Sequence, residues 1–246
     1  MYDNLSYTNS DELVKQMSEE CDTCILSFST GKDSIASYVQ LRKYFKRIIP
    51  YYYYVVPHLS FVDRSIKYYE GIFGCHIYQF PNASVIRMLN SLLFQPPERV
   101  TKIEESELPY SSEYTKQTTS NRIRKMLGLP DSVYTAIGVR SADSPMRYTA
   151  IKKYGAVNHV KKTFYPVYDW KKQDIVEAID ESGILLPVDY RMFGRTFDGI
   201  DYRFLKPIKE HYPDDYRKIV NMYPLCELEL FRRGERDGLL GKESKD

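Results

Sequence analysis

Cys24-Ile-Leu-Ser-Phe-Ser-Thr-Gly-Lys-Asp-Ser34 decides the fold of this 246-residue chain. Its first half, Cys24 to Phe28, is short and apolar and reads as a buried strand. Its second half, Ser29 to Ser34, is a tight polar turn, and beyond it Ile35, Ala36, Val39 and Leu41 recur at helical spacing. The turn therefore sits where a strand hands over to a helix. The N–H groups and positive dipole end of a helix start attract an anion. Gly31 lets the backbone approach a ligand closely, and the hydroxyls of Ser29, Thr30 and Ser34 are donors for phosphate oxygens. Asp33 or Ser34 is expected to cap the helix. The P-loop pattern is excluded because position 26 is Leu and Lys32 is followed by Asp33; a dinucleotide fingerprint is excluded because only one glycine is present. An ordinary capped turn has the same residues, so the decision passes to the rest of the chain.

Composition bounds the answer. The length suits one α/β domain with additions, and 43% hydrophobic with 28% charged residues is ordinary for a globular protein. A formal charge of +2 gives no strong field, so a general nucleic-acid binder is not implied. Basic clusters at Arg122-Ile-Arg-Lys125 and Arg232-Arg233-Gly-Glu-Arg236 read as solvated helix faces. With no signal peptide and no apolar run near ~18 residues, a cytoplasmic protein with reduced thiols and no membrane contact is expected. Cysteines 21, 24, 75 and 226 are too scattered for an iron–sulfur cluster, Cys24 opens the central strand, and the four histidines show no zinc-ligand pairing.

The chain in order predicts an N-terminal helix within 11–20, a helix from Ser34 to Lys46, and a second parallel strand over Ile48–Val56. Val55 and Val56, at the carboxyl end of that strand, are expected to edge an adenine pocket. A helix over Val62–Phe73 stopped by Gly74, a strand over His76–Phe80 and an amphipathic helix over 82–94 follow. The segment Gln95–Pro109 is expected to be a loop or insertion covering the site. Helix returns over Ser112–Leu127, and Val133–Val139 is a strand.

That strand runs into Arg140-Ser-Ala-Asp-Ser-Pro-Met-Arg147. Two arginines at a strand end, with Gly138 at the bend and Asp143 and Ser144 between them, suit bidentate contact with phosphate or sulfate. Ser144 should cap a helix whose first residue is Pro145. The third block, Tyr165-Pro-Val-Tyr-Asp-Trp-Lys-Lys-Gln-Asp-Ile-Val176, reads as a strand ending at Asp169-Trp170, then a helix over 171–182, with Trp170 as a core anchor.

Ser29-Thr-Gly-Lys-Asp-Ser34 resembles the S-x-G-x-D-S signature of the adenine-nucleotide alpha-hydrolase superfamily, which includes N-type ATP pyrophosphatases and phosphoadenosine phosphosulfate (PAPS) reductases. Residues 138–147 resemble the G-[IV]-R-x-x-E-S-x-x-R block of the PAPS-reductase-like family, with Asp143 where Glu is usual, and residues 166–175 its P-[IL]-x-x-W-x-x-x-D-[IV] segment. The resemblance implies an α/β fold: a Rossmann-like parallel sheet flanked by helices over 1–186, with a C-terminal helical extension over 187–246 of the kind found in phages and mobile elements. It implies nucleotide contacts by Ser27, Ser29, Thr30, Gly31, Lys32, Asp33, Ser34, Val55, Val56, Gly138, Asp143, Ser144 and Asp169. Lys32, Asp33, Arg140 and Arg147 would be catalytic, with Mg²⁺ held by Asp33. Arg191, Arg195 and Arg203 either complete the site or form a salt-bridged shell.

The family's C-terminal E-C-G-x-H segment is missing, and Cys226 sits in a leucine-spaced helix where burial is expected. What the superfamily resemblance then implies is cleavage of the α–β bond of ATP to adenylylate a substrate, in sulfur transfer or nucleic-acid modification. The alternatives are thiol-dependent reduction of PAPS or adenylyl sulfate, and a non-catalytic nucleotide-binding partner protein. The acceptor is unknown; a homodimer, a protein partner or a sulfur donor is compatible with the family.

Overall fold

The computed structural model describes residues 7–96, 98 and 115–233. The expected cover over 95–109 lies outside the described residues except at 95, 96 and 98. The chain forms two compact units: one of 1–53, 66–80 and 113–187, the other of 54–65, 81–112 and 188–246.

The first unit carries a six-stranded sheet in the order β3-β2-β1-β4-β6-β5. Its strands are β1 (Thr23–Ser27), β2 (Arg47–Tyr54), β3 (Tyr78–Pro81), β4 (Thr135–Ile137), β5 (Val157–Asn158) and β6 (Thr163–Phe164). β1 pairs in parallel with β2 and β4, β4 pairs in parallel with β6, and β5 pairs antiparallel with β6. The fold is α/β, as the strand-to-helix alternation implies. The chain runs outward from β1 through β2 to β3, then returns to place β4 on the other side of β1. In open α/β sheets ligands bind outside the carboxyl ends of strands at such a reversal. Here it separates β1 from β4, the two strands that lead into the residue blocks singled out above.

Side-chain alternation distributes the helices α1 (Ser10–Glu20), α2 (Lys32–Leu41), α3 (Ser60–Phe73) and α5 (Lys116–Met126), while α4 (Ala83–Asn90) belongs to the second unit. Ile25 of β1, with Ile49 and Tyr51 of β2, packs against Ile123 of α5. The opposite parity of the same segment ends in Phe28, whose ring meets Phe73 of α3 at 5.0 Å, and Phe73 stacks on Tyr38 of α2. α2 also packs on α1 and on α7 (Lys172–Ser182), so the central strand is covered from both sides.

Several boundaries differ from the sequence expectation. β2 ends at Tyr54 rather than Val56, and the Tyr54 carbonyl accepts the N–H of Asn82, the residue after β3. β4 is confined to Thr135–Ile137, and the chain turns at Gly138, where the Val139 N–H donates back to the Ile137 carbonyl at 2.7 Å. Asp169-Trp170 does not close a strand: β6 stops at Phe164, and Tyr165–Trp170 forms turns closed by Tyr168 N–H to Tyr165 O and Trp170 N–H to Val167 O. Pro166, which lacks a donor, breaks the ladder there. Trp170 is half-buried instead of anchoring the core. Gly74, Gly128 and Gly183 at helix ends have positive φ, the conformation that made Gly74 readable as a stop signal.

The second unit contains α8 (Val188–Phe193), α9 (Tyr202–His211) and α10 (Pro213–Met222), followed by a 3₁₀ turn at Pro224–Cys226 and helix over 227–233. Phe61, Phe193, Phe197 and Phe204 form its edge-to-face aromatic core. Asp215 is fixed by Ser60, whose hydroxyl donates to it at 2.7 Å, and by Lys218 at 3.0 Å.

Candidate functional site

The turn after β1 is built by hydroxyl groups. Ser34 Oγ accepts from the Ser29 N–H at 3.2 Å and donates to the Gly31 carbonyl at 2.8 Å; Ser29 Oγ accepts the Gly31 N–H at 3.4 Å. Gly31 itself is the N-cap of α2, with no side-chain cap, so neither Asp33 nor Ser34 caps the helix as expected. Both lie inside its first turn, where Ser34 is committed to the loop instead. Gly31 does not use its left-handed freedom (φ −76°); the residue with positive φ is Thr30, at 59°. A β-branched residue in that region is a true outlier, and such strain is concentrated at ligand-binding turns. Thr30 is buried and its hydroxyl donates to the Ser29 carbonyl at 2.6 Å. The result is a rigid loop leading into a helix end that no side chain closes.

Gly138 brings the second block to this loop. A Cβ at that position would stand 2.8 Å from the Asp33 carbonyl oxygen and 3.1 Å from Ser37 Oγ. Glycine is thus needed at the end of β4 for close approach to α2, and Ser37 Oγ donates to that same Asp33 carbonyl at 2.7 Å. Two residues on, a 3₁₀ turn (Ser141–Asp143) opens with Arg140 and leads into α6 (Pro145–Tyr154). Ser141 N–H donates to the Tyr168 carbonyl at 2.7 Å, which ties this turn to the third block.

The approach assembles an alternating row of charges. Lys32 Nζ lies 2.6 Å from Asp33 Oδ2, and Arg140 Nε 2.9 Å from Asp33 Oδ1. Arg140 Nη2 lies 2.8 Å from Asp143 Oδ1, and Arg147 Nη1 2.6 Å from Asp143 Oδ2. The Arg140 side chain is only 8% exposed. Its Nε and Asp33 Oδ1 are close but badly aligned, so both buried atoms lack a formed hydrogen bond and their contact is electrostatic. Three cations against two carboxylates leave an excess of positive charge. Lys116, an exposed residue at the start of α5, adds to it: partial desolvation by neighbouring atoms, and then the Arg147 charge, lower its pKa.

Lys32, Asp33, Gly138, Arg140, Asp143 and Arg147 are thus brought together around the loop of Ser29, Thr30, Gly31 and Ser34. Ser27 closes β1, in register with Tyr51 and Ile137. Ser144 is the N-cap of α6, accepting the Arg147 N–H at 3.2 Å, with Pro145 in the first turn as expected. Asp169 is occupied elsewhere: it accepts hydrogen bonds from the backbone N–H and hydroxyl of Ser10 at the start of α1. Val55 and Val56 are buried residues of the second unit. In that unit Arg195 pairs with Asp198 and Arg203 with Asp201, local ion pairs of neighbouring residues, while Arg191 is exposed on α8. Sequence reasoning missed Thr30 as the strained residue, and also Ser37, Lys116 and Tyr168. Of these, Tyr168 lay inside a quoted block; Ser37 and Lys116 carry no local signal.

Asp33 is the carboxylate placed to meet a divalent cation. Its Oδ1 is buried without a formed hydrogen bond and faces Arg140 Nε, and its Oδ2 faces the Lys32 ammonium, so a metal there would share the carboxylate with these cations. Among the described residues no three His, Cys, Asp or Glu gather as a metal site. One carboxylate fits Mg²⁺ in its usual manner with nucleotides, where phosphate oxygens and water supply most ligands. The four cysteines are unpaired by disulfides; Cys24 is buried in β1 with a thiol pKa raised by burial. Cys226 is likewise fully buried, and burial pushes its thiol up to about 12.

Neither a known family model nor a curated protein matches the chain. Solved structures similar to it include the U34-tRNA thiolase NcsA from Methanococcus maripaludis with its 4Fe–4S cluster, at 14% identity over 89% of this chain and 80% of that one. Another is the NH3-dependent NAD synthetase from Campylobacter jejuni in complex with nitrate, at 7% identity over 92% of each chain. A third is the PAPS reductase from Candida auris in a phosphate complex, at 12% identity over 78% and 88%. Each has a TM-score of 0.45, too low for the likeness to assign an activity, so the residues of the site carry the reading. Among the described residues no helix is long and apolar enough to cross a membrane.

Proposed function

We propose that this chain is an adenine-nucleotide enzyme of the PAPS-reductase-like branch of the alpha-hydrolase superfamily, cleaving the α–β bond of ATP to adenylylate an acceptor. The observation that carries this reading is the row Lys32–Asp33–Arg140–Asp143–Arg147 at the neighbouring ends of β1 and β4. A nucleophilic atom of the acceptor attacks the α-phosphorus and gives its proton to water; the bond to the bridging oxygen breaks and pyrophosphate leaves. Negative charge grows on the leaving phosphates, and positioned cations stabilise it most where water is scarce. The half-exposed Arg147 and the partly exposed Lys32 are placed to take up that charge. The buried Arg140 holds Asp33 and Asp143 in place. Mg²⁺ on Asp33 would add charge neutralisation at the phosphates.

Reduction of PAPS by a protein thiol needs an accessible thiolate. Burial of Cys226 speaks against that chemistry at this residue. The test is incubation with α-³²P-labelled ATP and Mg²⁺, with and without cell extract, reading AMP and pyrophosphate. Release of both is expected, with Asp33→Asn lowering the rate about 100-fold or more. Unchanged cleavage in that variant sinks the role of Asp33. Tight nucleotide binding without turnover leaves a non-catalytic nucleotide-binding protein, and thiol-dependent sulfite from PAPS moves the chain to the reductases.

A further inference from the structure

α6 is unlike the other helices of the first unit: none of its residues is buried. Its packing is chiefly on the 3₁₀ turn before it. Met146 is 84% exposed, Tyr148 55%, Tyr154 71% and, beyond the helix, Val160 92%. Single exposed apolar groups are common, but here they are interleaved with cations. Between Asp143 and Asp169 the chain has no acidic residue, while Arg147, Lys152, Lys153, Lys161 and Lys162 all fall there. Arg147 pairs with Asp143 and Lys162 with Asp131; Lys152, Lys153 and Lys161 form no ion pair among the described residues. Instead Lys152 lies 5.9 Å from the ring centre of Tyr148, and Lys153 5.0 Å from that of Tyr154. Pro145, Met146, Thr149, Ala150, Lys153 and Tyr154 line a shallow open groove along the helix.

From this we infer that α6, with the lysines that follow it, is a docking surface for a single-stranded nucleic acid. The charge balance favours a polyanion. The exposed rings favour one whose units have flat π faces, because bases stack on tyrosine irrespective of sequence while lysines track the phosphates. A duplex hides those faces. The overall +2 charge does not argue against this, since the excess is local to one segment. The helix is about 15 Å long, and its N-terminal turn holds Arg147 of the charge row. A strand lying along α6 therefore reaches the place where the adenylyl group is handed over. The inference rests on the proposed adenylyl transfer for the use of that strand, and on α6 alone for its binding.

The experiment uses the full chain and a fluorescein-labelled single strand of about 12 nucleotides, as RNA and as DNA, read by fluorescence anisotropy at two salt concentrations. Binding that weakens with salt is expected. The double variant Lys152→Glu, Lys153→Glu should lower affinity at least about tenfold and flatten the salt dependence. Tyr148→Ala and Tyr154→Ala should each lower it about fivefold or more. Release of AMP and pyrophosphate without added strand should be unchanged in all of them. No binding by the unaltered chain overturns the inference, as does tighter binding of a duplex. So does equal binding of poly-glutamate with no effect of the tyrosine variants, which would make the surface a site for acidic peptides. Strand binding without ATP cleavage removes the proposed activity and leaves this surface; cleavage without strand binding does the reverse.

Discussion

The two strand-to-helix turns of the first unit look alike in sequence and are built in opposite ways. After β1, hydroxyls hold the loop, the helix end carries no side-chain cap, and a threonine bears the backbone strain. After β4, the backbone is closed: Asp143 Oδ2 accepts the Arg140 N–H at 3.1 Å and Ser144 caps α6. The first turn thus offers backbone donors and the second offers guanidinium groups. A triphosphate needs both, because N–H groups fix its position while full charges offset its own. The first turn has its rigidity from local bonds, whereas the second depends on Asp33 across the sheet.

Gly138→Ala should break this pairing most severely. The added Cβ meets backbone at 2.8 Å, so one turn must move away from the other. A stability loss of about 1–3 kcal/mol is expected in denaturant unfolding, with turnover down at least about 100-fold. Retention of both would mean that the close approach is not needed. Arg140→Lys comes next. A lysine cannot span Asp33 and Asp143 as the planar fork does, and AMP release should drop about 100-fold with the fold kept by circular dichroism. If kinetics are unaltered, the row of charges is ornamental to the chemistry.

Smaller changes sharpen the contrast. Ser144→Ala should cost about 1 kcal/mol through the lost cap and alter turnover less than threefold, as the hydroxyl serves the helix. A larger kinetic effect would place Ser144 on the nucleotide, as the sequence resemblance implied. Thr30→Gly should leave stability within about 1 kcal/mol, since relief of left-handed strain offsets the greater freedom of the unfolded chain. Nucleotide affinity, measured by calorimetry, should fall through loss of the fixed loop; an unchanged value would show that the strain has no function.

The legible parts of the fold were those with local causes. Ser144 and Pro145 announced the start of α6, and Gly74 announced the end of α3, because capping and positive φ act over a few residues. The failures arose where distant groups compete for the same atoms. Asp169 was read toward a nucleotide, but Ser10 takes its oxygens; Asp33 and Ser34 were read as caps, but the loop and Arg140 claim them. Trp170 was read as a core anchor, yet the turns around Pro166 leave it half-buried.

The sequence by itself determined that two apolar strands each lead through a polar turn into a helix, and which residues those turns carry. Short-range hydrogen bonding and alternation are sufficient for that. Only the tertiary structure decided that β4 returns to lie beside β1, that Gly138 rests on Asp33, and that Arg140 joins two carboxylates far apart in the chain. Strand order is set by which faces the helices must cover and by how closely backbones approach, and neither is written in any single stretch of residues.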